Sequence, residues 1–242
     1  NNFWVIGGAF FVTAFEAIIA FIISVIVGVG GALLLSTSRV LERSLYPYAI
    51  LLQTIPIVAT APLIIIRFKV SIATVVIIAT VMAFVPVLAN TLVGLRSTDR
   101  RLVELFELYG SGRIATLFRL RLPAALPCIV GGLRIASGMA VIGVIVAEYI
   151  SGISGAQPGL GFLITKSASR LETPLLFAAG LACAGLGILC LQLTAPVARR
   201  LLGSWHEPEL DETACRYHRR QKPVTSFSAS PRADAVQPPP FS

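Results

Sequence analysis

The chain has 242 residues, of which 55% are hydrophobic and 13% charged, and its formal net charge is +8 at pH 7. A soluble domain carries about 25% charged residues, and a domain of this length cannot hide several uncharged helices from water on every face, so a soluble globular protein is excluded. The bases sit between apolar runs rather than on an aromatic-bearing soluble domain, which argues against nucleic acid as a partner.

Apolar runs of eighteen or more residues read as membrane spans, because about 20 helical residues cross a hydrocarbon core of roughly 30 Å. Five such spans are expected in chain order. Phe10–Leu35 is the first, and its single charge, Glu16, is expected near the outer headgroups. A short polar link, Ser36–Ser44, leads to the second span, Leu45–Ile66, which carries Gln53, Pro56 and Pro62. Arg67–Lys69 forms a tight turn before the third span, Val70–Leu95, which has no charge and contains Pro86. Prolines remove helix hydrogen bonds, so both the second and the third span are expected to kink.

Arg96–Leu122 is a long, basic, partly amphipathic connection. The fourth span, Ala125–Ile150, contains Gly131, Gly132, Ser137, Gly138 and Gly143, small residues that suit close helix packing. Ser151–Thr173 is glycine-bearing and holds a short apolar piece, Leu160–Ile164, too short to span. Pro174–Ala198 is the fifth span. The expected fold is therefore all-α, a polytopic transmembrane helical bundle over residues 1–203. Residues 204–242 are expected to be a largely disordered cytoplasmic tail, Pro/Ser-rich from Ser226 onward.

The bases set an orientation. With Arg96–Leu122 in the cytoplasm, that side holds Arg39, Arg43, Arg96, Arg100, Arg101, Arg113, Arg119 and Arg121, then the tail from Arg199. The outside holds only Arg67, Lys69, Lys166 and Arg170. This places the start of the first span outside, and a sixth span upstream of Asn1 is expected to return the chain to the cytoplasm.

Chemistry-bearing motifs are few. Cys128, Cys183, Cys190 and Cys215 show no CxxC spacing, and His206, Cys215 and His218 fit no standard zinc site. The chain has no phosphate-cradling GxxxxGK[ST] loop, and Gly110-Ser111-Gly112 lacks the strand and third glycine of a dinucleotide site. No catalytic residue and no metal site is therefore assigned. Within the spans, Glu148 lies near the outer end of the fourth and Arg134 about two turns inside it, where it can snorkel to the cytoplasmic surface. An intramembrane charge is turned inward or paired. Glu148 reads either as part of a solute pathway or as an interfacial ion pair, and Gln53 and Pro56 are the other pathway candidates.

The most informative stretch is Arg96–Pro127, RSTDRRLVELFELYGSGRIATLFRLRLPAALP. Leu102, Leu105, Phe106, Leu108 and Tyr109 give one helix an apolar face, and Gly110-Ser111-Gly112 interrupts it. Ile114, Leu117 and Phe118 give a second short helix an apolar side, and Pro123 and Pro127 mark the entry to the next span. Such a surface helix fills a partner's groove or rests on its own bundle or on headgroups; pattern alone supports both.

This loop resembles the signature of the membrane subunits of binding-protein-dependent ABC importers: E-A-A, three residues, Gly, nine residues, Ile, any residue, Leu-Pro. Glu104, Gly110, Leu120 and Leu122-Pro123 stand at the matching positions, with Leu105 and Phe106 in place of the two alanines. Leu51–Ile66, Phe84–Ser97, Leu122–Ile150 and Gly159–Ile164 look like the branch that imports nitrate, sulfonates, taurine and thiamine or pyrimidine precursors. Gln53-Thr54-Ile55-Pro56 and Ala140–Gly143 lean towards the pyrimidine-precursor members, while Arg67-Phe68-Lys69 replaces that branch's Trp-Phe-Gly-type turn.

The resemblance implies a permease subunit of the bacterial inner membrane. It implies partners as well: cytoplasmic ABC ATPases, a second permease copy, and an extracytoplasmic solute-binding protein. ATP and magnesium would be bound by the ATPase, with no cofactor in this chain. The loop would dock on the ATPase through Glu104, Glu107, Gly110, Arg113, Leu117, Leu120, Leu122 and Pro123, and Glu104–Phe118 would act as a lever on the spans. A stand-alone secondary transporter or channel is the alternative. It would show inverted repeats or broken helices with midplane charges.

Overall fold

The computed structural model describes residues 2–37, 40, 44, 51, 56–68, 71–151 and 159–202. Among these residues the regular structure is entirely helical, as the apolar runs require: only a helix satisfies every backbone group inside hydrocarbon without a partner strand. The expected tail, with His206, Cys215 and His218, lies outside the described residues, as do Gln53 and positions 45–50 and 52–55 of the expected second span.

The first helix, α1 (Asn2–Thr37), is 36 residues long. At 1.5 Å per residue it measures about 54 Å, well beyond a hydrocarbon core, so it tilts or projects. α2 (Ile57–Phe68) runs unbroken through Pro62, and Arg67 in its last turn lies over the Phe68 ring at 5.6 Å. Pro56 stands just before α2, exposed, with its carbonyl accepting the Ala59 N–H at 2.9 Å. α3 (Ile72–Arg96) begins at Ser71, whose hydroxyl accepts the Thr74 N–H at 3.3 Å, and continues through Pro86. It matches the expected third span to within two residues.

Beyond it come α4 (Arg100–Leu108), the single turn α5 (Arg113–Thr116) and a wider π-turn, Leu117–Arg121. α6 (Leu122–Ser151), α7 (Leu160–Ser169) and α8 (Thr173–Leu202) complete the order. Among the described residues, four helical runs are long and apolar enough to cross a membrane: Phe3–Thr37, Ile72–Arg96, Arg113–Ser151 and Thr173–Pro196.

The fourth expected span needs correction. Its helix starts at Arg113 rather than Ala125, and Pro123 and Pro127 lie inside the run instead of marking its entry. The π-turn explains why Pro123 is tolerated. The proline ring crowds the carbonyl four residues back and offers it no N–H. Widening the preceding turn, with Leu122 N–H bonded to the Leu117 carbonyl, relieves that crowding without breaking the helix.

α3 and α6 form the central pair. A Cβ on Gly143 would sit 2.7 Å from Ala79 Cα, and one on Gly132 would sit 2.8 Å from Asn90 Cβ, so the two helices touch nearly backbone to backbone. α1 packs on α3, and α8 lies outermost, presenting Phe177, Leu181, Ile188 and Leu193 outward. The core falls into three clusters, one of them Ala83, Val87, Ala136 and Ala140 of the α3–α6 pair and the others towards the two ends of the bundle. Near α5 it is built from Ala32, Leu92, Leu95, Leu117, Ala125 and Ile129. At the other end Ala17, Ile78, Val144, Ala147, Leu160 and Leu186 meet.

Candidate functional site

α4 is set by its ends. At the start, the Asp99 carboxylate accepts the Arg101 N–H at 2.9 Å, and Arg100 pairs with Glu104 at 3.0 Å on an exposed face, a contact worth well under about 1 kcal/mol. At the other end, Ser111 N–H bonds to the Phe106 carbonyl and Gly110 N–H to the Glu107 carbonyl, with Gly110 at φ +73°. This is the Schellman closure, whose left-handed residue is glycine because a Cβ there meets the neighbouring carbonyl.

No residue of α4 is buried. Leu102, Leu105 and Leu108 are 46%, 45% and 85% exposed, and Tyr109 follows them. Leu105, Leu108 and Tyr109 line an open cleft of about 230 Å³. Nine helical residues are too few to be stable alone in water, and among the described residues the apolar face of α4 stays unburied.

The rest of the loop behaves differently. Thr116 and Leu117 are buried, and Leu117 packs in one cluster with Leu95 and Ala125, joining the π-turn to the bundle. The expected second short helix is therefore the start of the Arg113–Ser151 run, and Leu117 is a core residue. Among the residues read as docking positions, Glu104, Glu107, Gly110 and Arg113 are exposed, whereas Leu120, Leu122 and Pro123 are half-buried in the π-turn and the first turn of α6. Ile114 and Phe118 still face outward.

Gly110 yields a local prediction. A Cβ there has nothing within 4 Å, so the penalty is conformational and not steric. Gly110→Val should destabilise the end of α4 by about 1–2 kcal/mol, and Gly110→Asn by less. Amide exchange across 105–111 checks both, and equal protection in all three chains would refute it.

Of the pathway candidates, Pro56 has been placed above and Glu148 lies near the far end of α6, 1% exposed. Thr13 Oγ1 donates to Glu148 Oε1 at 2.9 Å and lies 3.2 Å from Oε2, while Gly161 N–H donates to Oε2 at 2.7 Å. The Glu16 carboxyl lies beside this group, 4% exposed, with Oε2 lacking a hydrogen-bond partner. Glu16 thus faces the bundle interior instead of the headgroups, because the same face of α1 that carries Thr13 is turned towards α6. Sequence reading missed Thr13; its signal was the three-residue spacing to Glu16, which puts both on one helical face.

The described residues thus define a multi-pass helical membrane protein that displays an amphipathic helix at one end. Residues 9–203 match the family described as binding-protein-dependent transport system inner membrane component, and the chain belongs to that family. This bears out the resemblance read from Glu104, Gly110 and Leu122-Pro123.

The chain is similar to the riboflavin transport system permease protein RibX of Chloroflexus aurantiacus, 38% identical over 69% of this chain and 60% of RibX. It is also similar to the formylaminopyrimidine transport permease protein ThiX of Halalkalibacterium halodurans, 36% identical over 69% of this chain and 65% of ThiX. The taurine transport system permease protein TauC of Escherichia coli is 28% identical over 78% of this chain and 66% of TauC. The matches thus span about 60–66% of these relatives' own length.

Proposed function

We propose that this chain is a permease subunit of an ATP-binding-cassette importer, forming the translocation pathway for a small solute of the kind its relatives are named for: riboflavin, formylaminopyrimidine or taurine. The observation that carries the reading is α4. It is amphipathic, has no residue buried among the described part of the chain, and stands at the Glu104–Gly110 position of the loop signature that the chain resembles. A helix so displayed fits a groove on a cytoplasmic ATPase. ATP and magnesium belong to that partner, and a second permease copy and an extracytoplasmic binding protein complete the assembly. Leu117 and the π-turn anchor α5 to α6, and α4 joins them through Tyr109–Gly112; along this path ATPase closure would reach the membrane.

Two measurements test this. The chain reconstituted alone in lipid should hydrolyse no ATP above background, and it should retain an ATPase on affinity purification from its native membrane. Robust hydrolysis by the chain alone would overturn the division of labour. Orientation is tested separately: an impermeant maleimide added outside intact cells should modify Glu172→Cys and spare Arg113→Cys, both exposed positions. The reverse pattern would put α4 on the wrong side for an ATPase.

A further inference from the structure

α7 starts in an unusual way. Its N-cap is Gly159, which has no side chain to satisfy the first free N–H groups of the helix. Those groups are satisfied by two other helices instead. Leu160 N–H donates to Thr13 Oγ1 of α1 at 2.8 Å, and Gly161 N–H donates to Glu148 Oε2 of α6 at 2.7 Å. Thr13 in turn donates to Glu148, so one carboxyl group, one hydroxyl and two backbone N–H groups close a single network. Thr13, Glu148 and Leu160 are each at most 1% exposed, which leaves no water to replace a lost bond.

The glycines belong to the same device. A Cβ on Gly159 would collide with Glu148 Oε1, and one on Gly161 would lie 2.5 Å from the Ile145 carbonyl oxygen and 2.8 Å from Glu148 Cβ. At Gly161 the obstruction includes backbone, so the close approach of α7 needs glycine there, and a Cβ at Gly159 would push the Glu148 carboxyl out of its place. A carboxylate at a helix N-terminus is further favoured by the aligned peptide dipoles. α7, with ten residues, is too short to hold its shape undocked.

The geometry points to Glu148 as a positioning residue: with Thr13 it clamps the N-terminus of α7 to α6 and α1, at the end of the bundle opposite α4, and the docked state of α7 depends on this clamp. The 30 residues of α6 separate that end from the π-turn by about 45 Å. The clamp goes beyond the transport reading and stands on these contacts whether or not an ATPase docks on α4.

The test uses a buried probe on α7. Ser167 is fully buried, so Ser167→Cys, in a chain whose native cysteines are replaced by serine, should resist alkylation by N-ethylmaleimide in lipid nanodiscs. Glu148→Leu keeps the volume but removes the acceptors, and Thr13→Val removes the hydroxyl. Each should speed alkylation by at least about tenfold, the effect of orphaning one buried N–H. Thr13→Ser restores the hydroxyl and should restore protection. A second probe, Thr116→Cys, buried at the opposite end, reports general loosening and should not change. The inference is overturned if Ser167→Cys stays protected in both variants, if Thr13→Ser fails to restore protection, or if Thr116→Cys is exposed to the same degree.

Discussion

Leu105→Asp combined with Leu108→Asp should lower the ATPase retained per chain on pull-down by at least about tenfold while leaving the chain's abundance in the membrane unchanged. Both side chains lie on the bare face of α4, 45% and 85% exposed, and contribute nothing to the chain's own core. Insertion is decided by the four long runs, none of which includes α4. On a partner's surface the same two leucines would be buried, each stabilising the complex by about 1.5–3 kcal/mol, and a carboxylate in their place would be desolvated without a counter-charge. A helix that merely rests on headgroups or on its own bundle predicts a different result: abundance falls, or nothing changes, and retention per chain stays at the native level. The second pattern would remove the mechanical basis of the importer reading.

Gly143→Leu is expected to abolish folding, whereas Gly138→Leu in the same helix should be close to neutral. At Gly143 the obstruction is Ala79 Cα, backbone that cannot rotate aside, and the α3–α6 pair would have to separate. Overpacking of this kind costs about 1–3 kcal/mol where neighbours can yield, and more where they cannot. At Gly138 a Cβ meets nothing within 4 Å. Thermal unfolding of the two variants in one detergent, alongside membrane abundance, decides the matter. Equal loss in both would mean that the glycines act through helix propensity, and equal tolerance would refute the close α3–α6 seam.

That pair shows where reading the chain stops. Gly131, Gly132, Ser137, Gly138 and Gly143 look alike as small residues in an apolar run, and a close helix interface follows from them. Which of them touches α3 depends on how α6 is rotated about its axis, and the whole bundle sets that rotation. Gly132 and Gly143 meet α3; Gly131 and Gly138 do not. The amphipathic loop divides in the same way. Leu105 and Leu117 are both leucines on apolar faces. The first is exposed and the second sits in the core with Leu95 and Ala125, because the helix carrying Leu117 runs on through the π-turn into the membrane.

The sequence by itself determined the membrane-spanning helical class, the approximate places of the four long apolar runs among the described residues, an amphipathic helix interrupted at Gly110-Ser111-Gly112, and the family. Each of these rests on local physics: hydrocarbon thickness sets run length, a glycine pair interrupts a short helix, and a spaced motif is read along one segment. Only the tertiary structure decided the meaning of Glu148. Its donor Thr13 lies 135 positions away in the chain, and its second donor, Gly161, is 13 positions away on another helix. A buried charge announces that it needs partners, since leaving it bare is costly. Which partners it finds is settled by the packing of α1, α6 and α7 against one another, and no span taken singly contains that information.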